Sequence, residues 1–505
     1  MNAKVSMAQV TSPAPMTLGE IGARLRAHGA RVVGDSELIQ VSSVFQDSRK
    51  VVPGALFAAR AGTKHAGLGF WQAAQARGAV ALLRDADAGV AADVPGLEVT
   101  DVPRALGLAA EAVYGDPSRT LDLVGITGTN GKTTTAWLTA LALNATGARA
   151  GRLGTLGFAF LDHEDPGGLT TPGADEISRR AREIVVGGGT HLVMEVSSHA
   201  LTQARVDALG FAVAAFSNLT QDHLDYHVDM DAYGQAKRRL FEDLEPRSRV
   251  INIDDPFGLC LAEQCRALTV SSRVAADVCA EDVRLTGSGI QARLRIHGKS
   301  LPFSSRLVGW HNLDNALLSL GILQALGLAL EPALAALEES SGVPGRFERC
   351  DSVGDDIAVL VDYAHTPGAL ERVLLAAREL PHQNLCCVFG CGGDRDAGKR
   401  PQMGAVVGRL ATSSIVTNDN PRTEEPECIA EAISVGLDAE RAAYEVIFDR
   451  RNAIERAILR ANPGDVVVIA GKGHEPYQIV GERVLPFDDR DEARRALALR
   501  RRLED

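Results

Sequence analysis

The run Gly125-Ile-Thr-Gly-Thr-Asn-Gly-Lys-Thr-Thr134 constrains this chain more than any other feature. It follows an apolar, β-prone stretch with Leu121, Leu123 and Val124, and precedes a helix-like run from Ala136 to Ala145. A strand, a glycine-rich turn and a helix opening on Lys-Thr make a cradle for phosphate. Backbone N–H groups and the helix dipole face the anion, Lys132 reaches the terminal phosphates, and the Thr133 hydroxyl suits Mg²⁺. The spacing is G-x-x-G-x-x-G-K-T, with Ile126 where the commoner pattern has glycine. The alternative is a loop that only turns a strand into a helix. Gly-Lys-Thr-Thr at the junction favours the cradle, and with it ATP.

Composition sets outer limits. At 505 residues there is room for about three domains. Hydrophobic residues make up 45% and charged residues 23%, an ordinary globular balance. A formal net charge of −12 argues against a nucleic-acid surface, while leaving room for a local basic pocket. No apolar stretch approaches the ~20 residues of a membrane span, so no membrane insertion is expected. Residues 1–16 lack an apolar core and a cleavage signature and read as a disordered leader, with a cytoplasmic protein expected. The eight cysteines are scattered. Cys386, Cys387 and Cys391 lack the paired spacing or nearby histidines of a metal site, so they read as reduced, buried thiols.

The pattern predicts an α/β protein of three domains. Residues 17–116 form a smaller α/β unit, with helices over 18–28 and 104–114 and strands near 41–45, 55–59 and 79–83. Gly115-Asp116-Pro117 marks its end. Residues 117–345 alternate strands (121–126, 191–196, 211–216, 250–253) with helices (177–186, 232–244). That order predicts a doubly wound, mostly parallel sheet, with a small antiparallel insert over 268–309. Residues 346–505 predict a second, Rossmann-like sheet with strands 357–362, 385–389, 414–417, 444–448 and 466–470.

Polar clusters sit at the strand ends. Glu195, in Met-Glu-Val-Ser-Ser-His199, stands where a Mg²⁺-binding acid belongs, although it could instead cap the next helix. Asn218 to His227 is a polar loop after an apolar strand, a site candidate as a cluster. Lys237 alone reads as an ordinary helix lysine. In the third unit, Asp362-Tyr-Ala-His-Thr-Pro367, Gly390-Cys-Gly-Gly-Asp-Arg395, Asn418-Asp-Asn-Pro-Arg422 and Gly471-Lys-Gly-His-Glu475 each close a strand. Together they predict one ligand crevice at the carboxyl edge of that sheet. Neither Lys472 nor Lys399 is followed by Ser or Thr, so neither starts a second phosphate loop.

G-T-N-G-K-T-T, E-V-S-S-H, N-L-T-Q-D-H-L-D-Y-H, D-Y-A-H-T-P, G-C-G-G-D-R, D-N-P-R-T-E-E-P and A-G-K-G-H-E occur in the order of the Mur ligases. From about residue 40 to about residue 490 the chain resembles that family, in its diaminopimelate-adding branch. The resemblance implies ATP on Gly128, Thr129, Asn130, Gly131, Lys132, Thr133 and Thr134, with Asn312, Arg346 and Asp362 completing its site. It implies Mg²⁺ on Thr133 and Glu195, with His223 as ligand of a second ion. Lys132, His223 and Lys237 would be catalytic, Lys237 as an N-carbamate (N6-carboxylysine). UDP-MurNAc-L-Ala-D-Glu would meet Ser48, Thr170, Thr171, Ser197, Gln203 and Arg205. The meso-diaminopimelate would meet Arg395, Asp419, Asn420, Pro421, Arg422, Gly471 and Glu475. Two departures touch the sugar contacts: the loop Gly62-Thr-Lys-His-Ala-Gly67 and Leu169.

The implied reaction, in peptidoglycan precursor synthesis, phosphorylates the D-Glu side-chain carboxylate and lets an amine of diaminopimelate displace phosphate. A monomer is expected. Carbamylation needs a neutral amine, so the Lys237 pKa should be lowered by burial and nearby cations. Arg422, read as a buried guanidinium, should reject lysine, which lacks the second carboxylate, by more than roughly a hundredfold. Rival readings are another amide ligase of the superfamily, such as folylpolyglutamate synthetase, and a non-ligase P-loop ATPase.

Overall fold

The computed structural model describes residues 14–34, 36–60, 67–89, 94–286, 289–352 and 354–504. Residues 1–13 of the expected leader and the loop residues 62–66 lie outside that set. Met16, counted in the leader, pairs with Val41. The chain divides into two compact units: Met1–Cys279 with Asp314–Ala336, and Ala280–Leu313 with Leu337–Asp505.

Beside a two-stranded pairing of Met16–Thr17 with Gln40–Val41, the first unit holds two larger sheets. The smaller has the strand order Arg31–Val33, Gly96–Val99, Ala79–Asp85, Ala55–Ala58, Ser43–Phe45, parallel except at the first pair. Its leading helix, Leu18–Leu25, starts with a capping box: Thr17 accepts from Glu20 N, and the Glu20 carboxylate accepts from Thr17 N. Helix Val102–Tyr114 ends at Gly115, whose φ of 77° closes it in the left-handed conformation.

The larger sheet runs His163–Asp165, Gly157–Phe160, Ala150–Gly154, His191–Glu195, Asp122–Thr127, Phe211–Phe216, Ser248–Asn252, Leu268–Ser271. From Ala150–Gly154 onward the strands are parallel. Helices lie between them in sequence, as the alternation predicts. Strand Phe211–Phe216 is buried at every position, as expected where both faces are covered. Asp122–Thr127 sits between His191–Glu195 and Phe211–Phe216, with Ile126 opposite Glu195 and Thr127 opposite Phe216. That register puts the phosphate loop, Glu195 and the loop from Ser217 at one sheet edge.

The strands at 150–154, 157–160 and 163–165 were not expected. They carry Gly151, Gly154 and Gly157, which give no β signal. A Cβ on Gly154 would fall on the Glu195 side chain. The glycine makes room for the carboxylate, and only the fold reveals that.

In the second unit, Gly289–Ile296 and Lys299–Ser305 form the expected antiparallel hairpin, turning at His297 and Gly298 with φ of 52° and 74°. A six-stranded sheet follows, in the order Glu348–Arg349, Ala358–Asp362, Val466–Ala470, Leu385–Phe389, Ser413–Val416, Tyr444–Val446. It is parallel except at its first edge strand. The hairpin Tyr477–Val480 with Arg483–Pro486 was not expected. It is largely exposed, so it lacks the alternating apolar face that announces a strand.

Candidate active site

The phosphate loop is held by the strand beside it. Gly128 (φ 144°) and Gly131 (φ 84°) adopt backbone conformations that L side chains rarely reach. A Cβ on Gly131 would lie 2.5 Å from Asn315 Oδ1. Thr129 N donates to Asn218 O at 2.8 Å, and Asn130 N donates to Asn218 Oδ1 at 3.0 Å. Ser217 Oγ donates to Asn130 O, and Thr129 Oγ1 to Thr220 O. So Asn218-Leu-Thr220 shapes the cradle. Lys132 Nζ folds back onto Gly128 O and Thr129 O at 2.8 and 2.9 Å.

Glu195 does not cap the following helix. Ser197 does, accepting from Ala200 N. The buried Glu195 carboxylate instead accepts from Thr133 Oγ1 at 2.9 Å and Thr155 N at 2.7 Å. A hydroxyl beside a carboxylate, at the mouth of a phosphate loop, is a hard-oxygen donor pair of the kind Mg²⁺ takes. His223 (φ 54°) opens the short helix Leu224–His227 and packs edge-on to His199 at 4.9 Å between ring centres. Its ring is about half exposed, near the Asp222 carboxylate.

Lys237 is 1% exposed, on helix Met230–Glu242. Its Nζ donates to Gly128 O at 2.8 Å, the carbonyl that Lys132 also uses, and lies 4.3 Å from the Tyr233 ring centre. Burial, and then the Lys132 charge, push its pKa well below the usual lysine value. That is the direction carbamylation requires.

A cavity of about 420 Å³ in the same unit is lined by Gln46, Asp47, Lys50, Arg60, Arg180 and Arg205, among others. Gln203 Oε1 accepts from Arg60 at 2.9 Å and Arg205 at 2.7 Å. Arg205 also donates to Thr171 O, and Thr171 Oγ1 donates to Glu195 O. Ser197 N donates to Thr171 Oγ1, and the Thr155 and Thr170 hydroxyls meet at 3.2 Å. Burial, then Arg60, lower the Arg205 pKa. Ser48 sits half-buried in the turn closed by Lys50 N to Asp47 O.

In the second unit three strand-end loops interlock. Arg422 Nη1 donates to Gly393 O at 2.7 Å, and Gly393 N donates to Asn420 O. A Cβ on Gly393 would fall on Pro421 O, so the approach of the two loops needs that glycine. Lys472 Nζ reaches Asn420 Oδ1 at 2.8 Å, Asp419 Oδ1 at 3.3 Å and Glu475 Oε2 at 3.5 Å. Beneath them the buried pair Arg450–Asp489 is bidentate at 2.7 Å, and Arg450 also holds Ala470 O and Asn418 O. The fourth loop joins at its base, where Gly471 N donates to Asp362 O. The Asp362 carboxylate accepts from Phe347 N and Ala364 N. Burial raises its pKa while Arg346 opposes the shift. The Arg346 guanidinium covers the Tyr363 ring at 4.8 Å.

Residues 40–114 match the Mur ligase family catalytic domain, 126–323 the Mur ligase middle domain, and 345–473 the Mur ligase glutamate ligase domain. UDP-N-acetylmuramoyl-L-alanyl-D-glutamate–2,6-diaminopimelate ligase of Gloeobacter violaceus is 47% identical over 92% of this chain and 95% of its own. The chain belongs to the Mur ligase family. A solved structure of a UDP-N-acetylmuramoyl-L-alanyl-D-glutamate–2,6-diaminopimelate ligase superposes on this Mur ligase with a TM-score of 0.70. It is 33% identical, covering 96% of this chain and 99% of that one. The MurF ligase of Thermotoga maritima, solved with ADP, shares the fold at a TM-score of 0.60 and 18% identity, over 92% and 98% of the chains.

In this Mur ligase the first unit brings together Gly128 to Thr134, Glu195 and Lys237, and links Thr170, Thr171, Ser197, Gln203 and Arg205 in one hydrogen-bonded run. The second unit brings together Asp419, Asn420, Pro421, Arg422, Gly471 and Glu475. Arg395 stands exposed at the rim of that group. Asn312 lies in the second unit and gives its amide N–H to Val308 O. One expectation changes. Arg422 is half-buried rather than buried, so water partly replaces a missing carboxylate there. Sequence reasoning missed Thr155, Arg60 and Lys472. For Lys472 there was a signal: a lysine between two glycines at a strand end, with an acid three residues on.

Proposed function

We propose that this ligase adds meso-2,6-diaminopimelate to the D-Glu side-chain carboxylate of UDP-MurNAc-L-Ala-D-Glu. ATP phosphorylates the carboxylate, releasing ADP. An amine then attacks the acyl carbon, phosphate leaves, and the new amide nitrogen loses a proton. The name of the Gloeobacter relative supports the substrates, and the ADP held by the Thermotoga enzyme supports the nucleotide.

The observation that carries the reading is Lys237, buried on the carbonyl of the phosphate loop. A phosphate loop alone would serve any ATPase. A neutral lysine beside it can take up CO₂, releasing one proton, and become an anion. Lys132 would neutralise charge on the transferring phosphoryl group. Thr133 and Glu195 would hold Mg²⁺, with His223 on a second ion; when bound, the ions supply further charge neutralisation at the phosphates. Asn312, Arg346 and Asp362 would complete the nucleotide site. Ser48 and the run from Thr170 to Arg205 would hold the UDP-dipeptide. Arg395 and the cluster around Arg422 would hold diaminopimelate.

We assign the three tasks to residues 17–116, 117–345 and 346–505, in a monomer acting in the cytoplasm. No described helix is long and apolar enough to cross a membrane. The test is ADP release with the UDP-linked dipeptide, comparing diaminopimelate with lysine. Diaminopimelate-dependent ADP and tripeptide are expected. Purified protein that binds ATP yet joins no diamino acid to the dipeptide overturns the reading.

A further inference from the structure

Lys472 is 0% exposed, and no step of the proposed reaction uses it. Its ammonium meets one oxygen on each of three side chains: Asn420 Oδ1, Asp419 Oδ1 and Glu475 Oε2. Asn420 Oδ1 also accepts from Ile479 N at 2.9 Å. With its oxygen claimed by two donors, the amide must turn its NH₂ the other way. It donates to Glu475 Oε2 at 3.1 Å. Asn420 and Lys472 therefore grip the same Glu475 oxygen. Among the described residues no hydrogen bond engages Glu475 Oε1 or Asp419 Oδ2.

We propose that Lys472 is a positioning residue that shapes this cluster for the zwitterionic end of an α-amino acid. The inference rests on reading Asp419, Asn420, Arg422, Gly471 and Glu475 as the amino-acid site. The charges balance for such a ligand. Asp419, Glu475 and Lys472 together carry one net negative charge, which matches one ammonium. Arg422, from the same loop as Asp419 and Asn420, supplies one positive charge for one carboxylate. Without Lys472 the cluster carries two negative charges and repels the ligand's carboxylate. Glu475 and Asp419 also lose the group that sets their rotamers.

The experiment is steady-state kinetics on the full chain with Lys472→Met. KM for diaminopimelate should rise at least tenfold, with KM for ATP and for the UDP-dipeptide within about twofold of wild type. The ratio of kcat/KM for diaminopimelate over lysine should fall, because lysine's distal end has no carboxylate to repel. In a Glu475→Gln background the same substitution should raise KM less than in wild type, since one of the two carboxylates it neutralises is gone. An unchanged KM for diaminopimelate, an unchanged ratio, or full additivity with Glu475→Gln overturns the proposal.

If the methionine variant does not fold, Lys472→Arg carries the test. Its planar fork keeps the charge but cannot set one nitrogen among three oxygens. KM for diaminopimelate should still rise severalfold with an unchanged melting temperature, and a wild-type KM overturns the idea. Wild-type protein that turns over no diaminopimelate sinks the reading of the site itself. Wild-type turnover with unaffected variants sinks only the role of Lys472.

Discussion

Two lysines in this molecule are almost equally buried, Lys237 at 1% exposed and Lys472 at 0%. Their surroundings are opposite. Lys237 has a carbonyl and an aromatic ring for partners and a second lysine on the same carbonyl. Lys472 has two carboxylates and an amide oxygen. Burial by itself costs either ammonium its hydration. What the lysine then becomes is set by its partners. With no carboxylate in hydrogen-bond contact among the described residues, and with Asp222 opposing the shift less than burial and Lys132 drive it, the cheaper state is the neutral amine, a nucleophile for CO₂. Between two carboxylates, the ammonium is a structural cross-link.

The comparison can be broken most directly at Lys237. Lys237→Ala should abolish turnover, with partial recovery in short-chain carboxylates, measured as ADP release. Wild-type activity in that variant without added acid would mean the buried amine is inert. Next in size is the phosphate loop itself. Gly131→Ala forces a Cβ toward Asn315 Oδ1 at a φ of 84°. We expect a loss of ~1–3 kcal/mol, read as a melting-temperature drop and weaker ATP binding. An alanine variant indistinguishable from wild type would show the loop to be unstrained.

On the amino-acid side, Arg422→Ala should lower the preference for diaminopimelate over lysine. The half-exposed guanidinium reduces the expected effect to ~1.5–3 kcal/mol, about ten- to a hundredfold in relative kcat/KM. Undiminished preference would move the specificity elsewhere.

The smallest and sharpest test is stability. Lys237→Met and Lys472→Met should move the melting temperature in opposite directions, upward for the first and downward for the second. For Lys237 the sign follows from linkage. Its folded pKa lies below the usual lysine value of 10.5, so the unfolded chain binds more protons between the two values. Stability from this group therefore rises with pH across that window and is lower at neutral pH. In CO₂-free buffer, wild type should gain on Lys237→Met as pH climbs toward 10.5. Removing Lys472 instead leaves Asp419 and Glu475 facing each other. Shifts of roughly 2–4 °C per kcal/mol are expected by calorimetry. Parallel shifts would erase the distinction between the two sites.

Much of this was legible beforehand. The strands at 211–216, 385–389 and 466–470 have the bounds that their apolar runs suggest. The strand-end motifs do mark the carboxyl edges of two sheets. What stayed hidden is polar and long-range. Asn218 reads as a loop residue, yet it shapes the phosphate loop some 90 positions earlier in the chain. Glu111, on helix Val102–Tyr114, carries no signal in the sequence. It is buried, its pKa raised by that burial, and it holds Ser118 and Ser178 across the first boundary.

Local pattern determined most of the elements, the glycine-rich turn into the Lys132 helix and the family, because strand hydrophobicity, glycine spacing and motif order are properties of neighbouring residues. The tertiary structure decided charge. Whether a lysine is a neutral nucleophile or a paired cation depends on which oxygens and cations the fold gathers within a few ångströms. Those partners come from segments far apart in sequence. Coulomb energy at that range, in a site shielded from water, outweighs any preference of the side chain alone.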